Sequence, residues 1–310
     1  MPPARPTAPT VRALALAAVV ANSVLVVTGG AVRLTSSGLG CPTWPRCTKG
    51  SYVNQAEYGV HGVIEFSNRM LTFVLTAIVV ALVVATVRQR PRRRDLVRLA
   101  VLGALGIPAQ AVLGGVTVLT GLNPWTVMAH FLLSTVLIGN AVVLWVRTGE
   151  GDRPARTVVR EPLRPLALGL LALTAATLAV GTVVTGSGPH SGDAAATRTG
   201  LDPAAVSQLH ADLVLLLVGA SVGLWVALRA TDAPAAAVRA AAVLLGVELS
   251  QSLIGFVQYF TALPVVLVAA HLAGACLVLV AAVRVVLATR DRGPLDAGAP
   301  AAAERTLQPV

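Results

Sequence analysis

The chain has 310 residues, of which 55% are hydrophobic and only 12% are charged. The apolar residues, chiefly Ala, Val and Leu, form runs too long for the core of a soluble domain, so the composition excludes a soluble globular protein. The formal net charge of +10 comes from arginines that flank these runs. We expect anionic lipid headgroups beside them and no nucleic acid.

Eight segments approach or exceed the roughly 20 apolar residues that a helix needs to cross a bilayer. They span residues of about 13–32, 61–87, 98–119, 125–146, 165–186, 204–228, 236–258 and 264–288. The sequence therefore predicts an all-α membrane protein with eight transmembrane helices. The first segment also resembles a cleaved signal peptide. Its end (Thr35, Ser37) matches the end of the fifth segment (Thr185, Ser187), which favours a retained helix.

Basic residues are distributed unevenly between the connections. If the N-terminus is cytoplasmic, nineteen arginines lie on the cytoplasmic side, against four basic residues outside: Arg33, Arg46, Lys49 and Arg198. The positive-inside rule therefore predicts that both termini are cytoplasmic.

The sequence contains an internal repeat, which covers the end of one predicted helix and the start of the next. Residues 110–130, QAVLGGVTVLTGLNPWTVMAH, recur without gaps as residues 251–271, QSLIGFVQYFTALPVVLVAAH. Because each half then has an even number of spans, we predict two pseudo-symmetric, parallel four-helix bundles. The predicted divisions are an N-terminal tail (1–12), the N-terminal bundle (13–147), a cytoplasmic linker (148–164), the C-terminal bundle (165–288) and a disordered cytoplasmic tail (289–310).

The connection between the first two segments, GLGCPTWPRCTKG, contains Cys41 and Cys47. Since this loop is predicted to lie outside the membrane, the two cysteines can form a disulfide. A structural clip and a redox-active pair both fit this position. Cys276 lies within the eighth segment and is predicted to be a small buried apolar residue.

The second segment contains the most polar stretch at membrane depth, HGVIEFSNRML. His61, Glu65 and Asn68 share one helix face, and Arg69 follows Glu65 by one turn. Ionisable groups inside a bilayer usually face the bundle interior, which marks a candidate site. Mutual neutralisation of Glu65 and Arg69 is the simpler alternative. His190 is predicted to be a solvated loop residue.

Three histidines lie at a common depth. His130, His210 and His271 each follow the start of an even-numbered helix by about seven residues, roughly 10 Å along the axis. Asn68 is the residue of the second helix at that depth, and His61 lies two turns higher. Histidines on facing helices, with small residues beside them, suit axial ligation of haem. His210 and His271 form a complete pair, and His130 pairs with Asn68 or His61.

With these features the chain resembles the haem A synthases of bacterial membranes and mitochondria. The resemblance implies that haem O is the substrate, and that its C8 methyl group is oxidised to a formyl group to give haem A. It further implies haem b as a cofactor ligated by His210 and His271, His130 on the substrate-haem side, and Glu65 as the catalytic residue. Many members have a Glu-x-x-His-Arg run, where this chain has Asn68 in the histidine position.

The resemblance also implies a multi-pass protein of the bacterial cell membrane, with haem O synthase and an electron donor as candidate partners. Arg69 is positioned to pair with a propionate of the substrate haem. Two other classes fit part of the pattern. A dihaem b-type cytochrome that only transfers electrons would need two complete histidine pairs. A transporter would place its polar groups near the bilayer centre, but these histidines lie towards the predicted outer side.

Overall fold

The structure is a computed structural model that describes residues 8–295. Within that range it has eight helices long and apolar enough to cross a membrane. They are α1 (Ala8–Leu34), α2 (Gly59–Arg88), α3 (Arg94–Leu119), α4 (Pro124–Arg147), α5 (Leu163–Ser187), α6 (Pro203–Ala230), α7 (Ala235–Phe260) and α8 (Val265–Ala288). A single 3-10 turn, Ala56–Tyr58, precedes α2. The predicted all-α, multi-pass membrane protein is confirmed, and the apolar runs are the cause because a helix satisfies its own backbone in lipid.

The repeated stretch has the same backbone geometry in both copies. Leu122 and Leu263 each follow their helix in the left-handed region, with φ of 60° and 57°. The N–H of Leu122 donates to the carbonyl of Thr117 at 2.9 Å, and that of Leu263 to Gln258 at 2.8 Å. These bonds close the ends of α3 and α7 in the same way. The two copies of the repeated sequence therefore also share the conformation of the turn.

The helices form two groups of neighbours. In the first, α1 packs on α2 and α4, and α3 packs on α2 and α4; in the second, α5 packs on α6 and α8, and α7 packs on α6 and α8. Between the groups, α4 contacts α5 and α8, and α1 contacts α8. This set of neighbours is unchanged when each helix is exchanged for the one four places away. We call α1–α4 the N-terminal bundle and α5–α8 the C-terminal bundle; their pseudo-symmetric, parallel relation stays a prediction.

A cluster of charged residues joins the two bundles at the predicted cytoplasmic side. Arg147, at the end of α4, pairs with Asp95 of α3 and with Glu150 at 2.8 Å. Arg290 lies 3.5 Å from the same Glu150 carboxylate. Burial lowers the pKa of Arg290, and the neighbouring Glu150 opposes that effect. The cluster therefore attaches the segment after α8 to the end of the N-terminal bundle.

Part of the predicted linker and part of the predicted tail form a short two-stranded sheet. Strand β1 (Arg156–Thr157), within the predicted linker, pairs antiparallel with β2 (Arg290–Asp291). Residues 290 and 291 belong to the tail predicted to be disordered, but they form this strand. The physical reason is the ladder with β1 and the charge cluster beside it. Residues 1–7 and 296–310, the outermost parts of both predicted tails, lie outside the described residues.

Candidate functional site

Each of the three membrane histidines lies over a glycine of the preceding helix. A Cβ atom added at Gly114, Gly181 or Gly255 would lie 3.0, 3.0 or 3.3 Å from Cε1 of His130, His210 or His271, respectively. We call these three glycine and histidine pairs the ring seats. A side chain there would press on the imidazole, which would have to move by a few tenths of an ångström. Gly181 was missed in the sequence, because its role depends on the neighbouring helix α6.

His210 and His271 face each other across the C-terminal bundle, with ring centroids 6.4 Å apart and ring planes at 71°. Nδ1 of each is buried and lacks a hydrogen-bond partner within the described part of the chain. Imidazole nitrogens bind metals at about 2 Å, so two rings on opposite faces of one haem iron have centroids roughly 6 Å apart. The spacing, the free buried nitrogens and the glycines beneath the rings therefore fit a haem held by this pair.

The N-terminal bundle has one ring seat and one amide in the matching place. Nδ1 of His130 is buried without a partner in residues 8–295. Asn68 of α2 lies over Gly29 of α1, where an added Cβ would be 3.8 Å from its amide nitrogen. Thr28 Oγ1 donates to Asn68 Oδ1 at 2.7 Å. The structure thus places Asn68 at the position in the first hairpin that His210 occupies in the third.

His61 lies apart from this level of the bundle. It is exposed, and its Nδ1 is 3.0 Å from Ser37 Oγ in the connection after α1. Seven residues separate it from Asn68, about 10 Å of helix. The structure therefore brings Asn68, and not His61, to the depth of the other candidates.

Glu65 is 5% exposed and has two kinds of partner. Its Oε1 accepts hydrogen bonds from Arg69 Nη2 at 2.6 Å and Nε at 3.2 Å. Its Oε2 accepts from the backbone N–H of Cys41 at 2.7 Å. The pairing with Arg69 suggested by the sequence is present, and the bond to the cysteine loop adds a second constraint that the sequence did not reveal.

Arg69 also binds the cysteine loop. Its Nη2 donates to the carbonyl of Cys41 at 2.8 Å, and its Nη1 donates to the carbonyls of Thr43 and Arg46 at 3.1 and 3.4 Å. Together with the two bonds to Glu65, every N–H of the guanidinium group has an acceptor in the chain. Pairing with a haem propionate, which stays a prediction, would require Arg69 to release one of these acceptors.

The predicted disulfide between Cys41 and Cys47 is confirmed, and both cysteines are buried. Between them, Trp44 packs against α3, because a Cβ added at Gly115 would lie within its indole ring. Gly115 directly follows Gly114 of the His130 ring seat. The disulfide loop, residues 41–47, therefore contacts the N-terminal bundle at α2, through Glu65 and Arg69, and at α3.

His190 is a loop residue, as predicted, but it is half-buried and has a specific partner. Its Nε2 lies 3.0 Å from the carbonyl of Leu263 in the repeated turn. Arg33, at the end of α1, donates to the carbonyls of His190 at 2.5 Å and Thr185 at 2.7 Å. The histidine is held between these groups because the ends of both bundles meet there.

Other polar residues lie within the helices. Gln110 donates to Ser134 Oγ at 2.5 Å, and Glu248 accepts from Ser221 Oγ at 2.9 Å. Asp212 pairs with Gln208 at an exposed position of α6. Cys276 is buried in α8, as predicted. Across residues 8–295, no group of three or more His, Cys, Asp or Glu side chains could hold a metal ion.

The fold and the ring seats define a multi-pass, all-helical membrane protein with matched histidines in two helix bundles. Residues 12–283 match the family described as cytochrome oxidase assembly protein, and the chain belongs to that family.

Individual relatives match over about half of the chain. A protein named heme A synthase from Listeria welshimeri is 30% identical over 136 residues, which is 44% of each chain. One of the same name from Lysinibacillus sphaericus is 33% identical over 140 residues, 45% of each, and one from Symbiobacterium thermophilum is 30% identical over 161 residues, 51% of each. The chain thus spans about half the length of the curated relatives it matches.

Proposed function

We propose that the protein is a haem A synthase of the bacterial cell membrane, with both termini cytoplasmic. It oxidises the C8 methyl group of haem O to a formyl group. The observation that carries this proposal is the contrast between the bundles. One has two facing histidines at 6.4 Å, and the other has a single histidine seat and a buried carboxylate, Glu65, on another helix of the same bundle. That contrast fits one bundle for a permanent cofactor and one for a substrate. The relatives' names and the family agree with it.

In the C-terminal bundle, His210 and His271 would ligate a haem b cofactor, which supplies one-electron transfer when bound. The protein itself positions the two imidazole rings. Gly181 and Gly255 let the rings lie directly against α5 and α7, and the surrounding apolar helices exclude water. Nδ1 of each ring is buried and has no hydrogen-bond partner within the described chain.

In the N-terminal bundle, His130 would hold the substrate haem. Conversion of a methyl to a formyl group replaces two hydrogens by one oxygen, a four-electron oxidation for which dioxygen would be the oxidant and oxygen source, so the site needs a group that accepts or passes on protons. Glu65 is the buried carboxylate on the helix that faces this site, and Arg69 compensates its charge. The disulfide loop, bonded to both residues, holds the carboxylate in place. Haem O synthase is the enzyme class that must supply the substrate, and the electron donor is a separate partner.

The competing function is electron transfer by a dihaem b-type cytochrome. It requires two histidines in each bundle, whereas Asn68 stands in the second position of the N-terminal bundle. A transporter is disfavoured because the histidines lie well away from the middle of their helices.

Expression in a bacterial host that makes haem O but lacks its own haem A synthase tests the proposal. Haems extracted from the membranes should include haem A. His210→Ala should abolish haem A, because the cofactor pair is broken. Asp212→Asn, two residues away and exposed, is the matched control and should retain it. If the wild-type protein accumulates in the membrane with haem b while haem O stays unconverted, the proposal is wrong.

A further inference from the structure

We propose that the N-terminal bundle holds its haem through His130 alone and leaves the opposite face of the iron open to a small exogenous ligand, because Asn68 takes the place of a second histidine. This inference deepens the proposed function and rests on it. It assigns to this chain a ligand-accessible haem in one bundle and a closed one in the other.

The equivalence of Asn68 and His210 comes from the helix hairpins. In each hairpin, one residue of the even-numbered helix lies against a glycine of the odd-numbered helix before it. The pairs are Asn68 with Gly29, His130 with Gly114, His210 with Gly181 and His271 with Gly255. In the C-terminal bundle, the residues presented by α6 and α8 are the facing histidines. The corresponding residues of α2 and α4 are Asn68 and His130. If the predicted symmetry of the bundles holds, a haem iron bound between α2 and α4 would have imidazole on one side and an amide on the other.

The amide of Asn68 is a poor replacement ligand. Protein ligands of haem iron are imidazole, thiolate, thioether and phenolate groups, and a neutral carboxamide is not among them. Asn68 is also bonded to Thr28, whose Oγ1 lies 2.7 Å from Asn68 Oδ1. Thr28 Oγ1 also lies 3.0 Å from the carbonyl of Val24 on its own helix, so its single proton is shared between that carbonyl and Asn68 Oδ1. The contact with Thr28 holds the amide beside α1.

No nearby residue compensates for the missing imidazole. His61 is about 10 Å further along α2 and is bonded to Ser37. Met70 and Met128 each lie two positions from Asn68 or His130, which places them on roughly the opposite face of their helices. The residue of α2 on the open side would therefore be an amide, which does not compete with a small exogenous ligand for the iron.

Spectroscopy of the purified protein, isolated from cells that produce haem O, tests the inference independently of activity. Optical and electron paramagnetic resonance spectra should show a low-spin haem from His210 and His271 and a high-spin haem. The reduced protein should bind carbon monoxide at the second haem. Asn68→His should convert that haem to low spin and reduce carbon monoxide binding at least about tenfold, which is about 1.4 kcal/mol. Asn68→Gln is the matched control and should remain high spin.

Three results would overturn the inference: a low-spin second haem in the wild-type protein, unchanged carbon monoxide binding in Asn68→His, or a change of spin state in His61→Ala. The proposed function fails separately. A wild-type protein that forms haem A with two low-spin haems keeps the function and loses this inference. A high-spin, carbon monoxide-binding protein that leaves haem O unconverted supports the open haem face and contradicts the proposed function. A protein that binds no second haem contradicts both.

Discussion

The backbone N–H of Cys41 donates a hydrogen bond of 2.7 Å to the Glu65 carboxylate. This bond joins the two most distinctive features of the N-terminal bundle, the disulfide loop and the buried acid of α2. Arg69 strengthens the connection because it binds Glu65 and the carbonyl of Cys41 through the same nitrogen, Nη2. Replacing Cys41, Glu65 or Arg69 should therefore disturb the positions of the other two residues.

Replacing Glu65 distinguishes a catalytic acid from a simple partner of Arg69. Glu65→Gln preserves an acceptor for the Cys41 N–H, so the variant should fold, retain haem b and accumulate haem O or a hydroxylated intermediate. Glu57→Gln, at an exposed acid in the turn before α2, is the control. Extracted haems provide the measurement.

The double variant Glu65→Gln with Arg69→Met completes this test. If Glu65 only neutralises Arg69, the single change leaves an unpaired cation at membrane depth, which is costly. Removing the cation should then restore haem A. We expect no restoration, and recovery of haem A in the double variant would contradict a catalytic role for Glu65.

The disulfide should be fully formed in the resting protein. Thiol labelling of intact cells should modify neither Cys41 nor Cys47 before reduction and both after it, while Cys276 is buried throughout. Changing both loop cysteines to serine should destabilise the loop by about 2 kcal/mol, the chain-entropy estimate for so short a closed segment. It should also lower haem A formation, since the loop holds Glu65. Full labelling without reductant would show that the pair is not bridged.

The ring seats should be sensitive to a single added methyl group. Gly181→Ala would place Cβ 3.0 Å from His210 Cε1, so the imidazole must shift. We expect a several-fold loss of the low-spin haem b signal per protein. Gly169→Ala on the same helix has open space around the new Cβ and should keep the signal while gaining helix stability of up to about 1 kcal/mol. Equal haem content in both variants would mean that Gly181 does not set the ring position.

The charge cluster between the bundles should contribute to stability. Asp95→Asn removes a partner of Arg147, whose side chain is only 4% exposed. The loss should be about 1 to 2 kcal/mol, less than for a fully buried pair because Asp95 is partly solvated. Asp152→Asn, at a carboxylate that is 71% exposed and 3.7 Å from Arg147, should have almost no effect. Thermal unfolding of the two variants in detergent compares them, and equal midpoints would contradict this role of Asp95.

Features that follow from local sequence were predictable. The helices lie within a few residues of the apolar runs, because lipid-spanning length and hydropathy are properties of a continuous segment. The depth of His130, His210 and His271 followed from counting along helices of known rise. The departure at Asn68 was visible for the same reason.

Features that join distant segments were not predictable. The contact of His190 with Leu263, the bonds of Arg69 to three loop carbonyls and the pairing of β1 with β2 each depend on how connections meet after the helices pack. Such contacts have no periodicity in one sequence. The place of Gly181 on a helix was predictable, but its contact with His210 was not, because that contact depends on how the neighbouring helix packs.

The haems bound to the purified wild-type protein distinguish a haem A synthase from a dihaem cytochrome. The protein should be isolated from cells that produce haem O, and its haems extracted, separated and identified by mass. We expect haem b together with haem O, a hydroxylated intermediate or haem A, with His210→Ala removing the haem b fraction. Haem b as the sole haem, present in both bundles, would instead identify a dihaem cytochrome and contradict a haem A synthase.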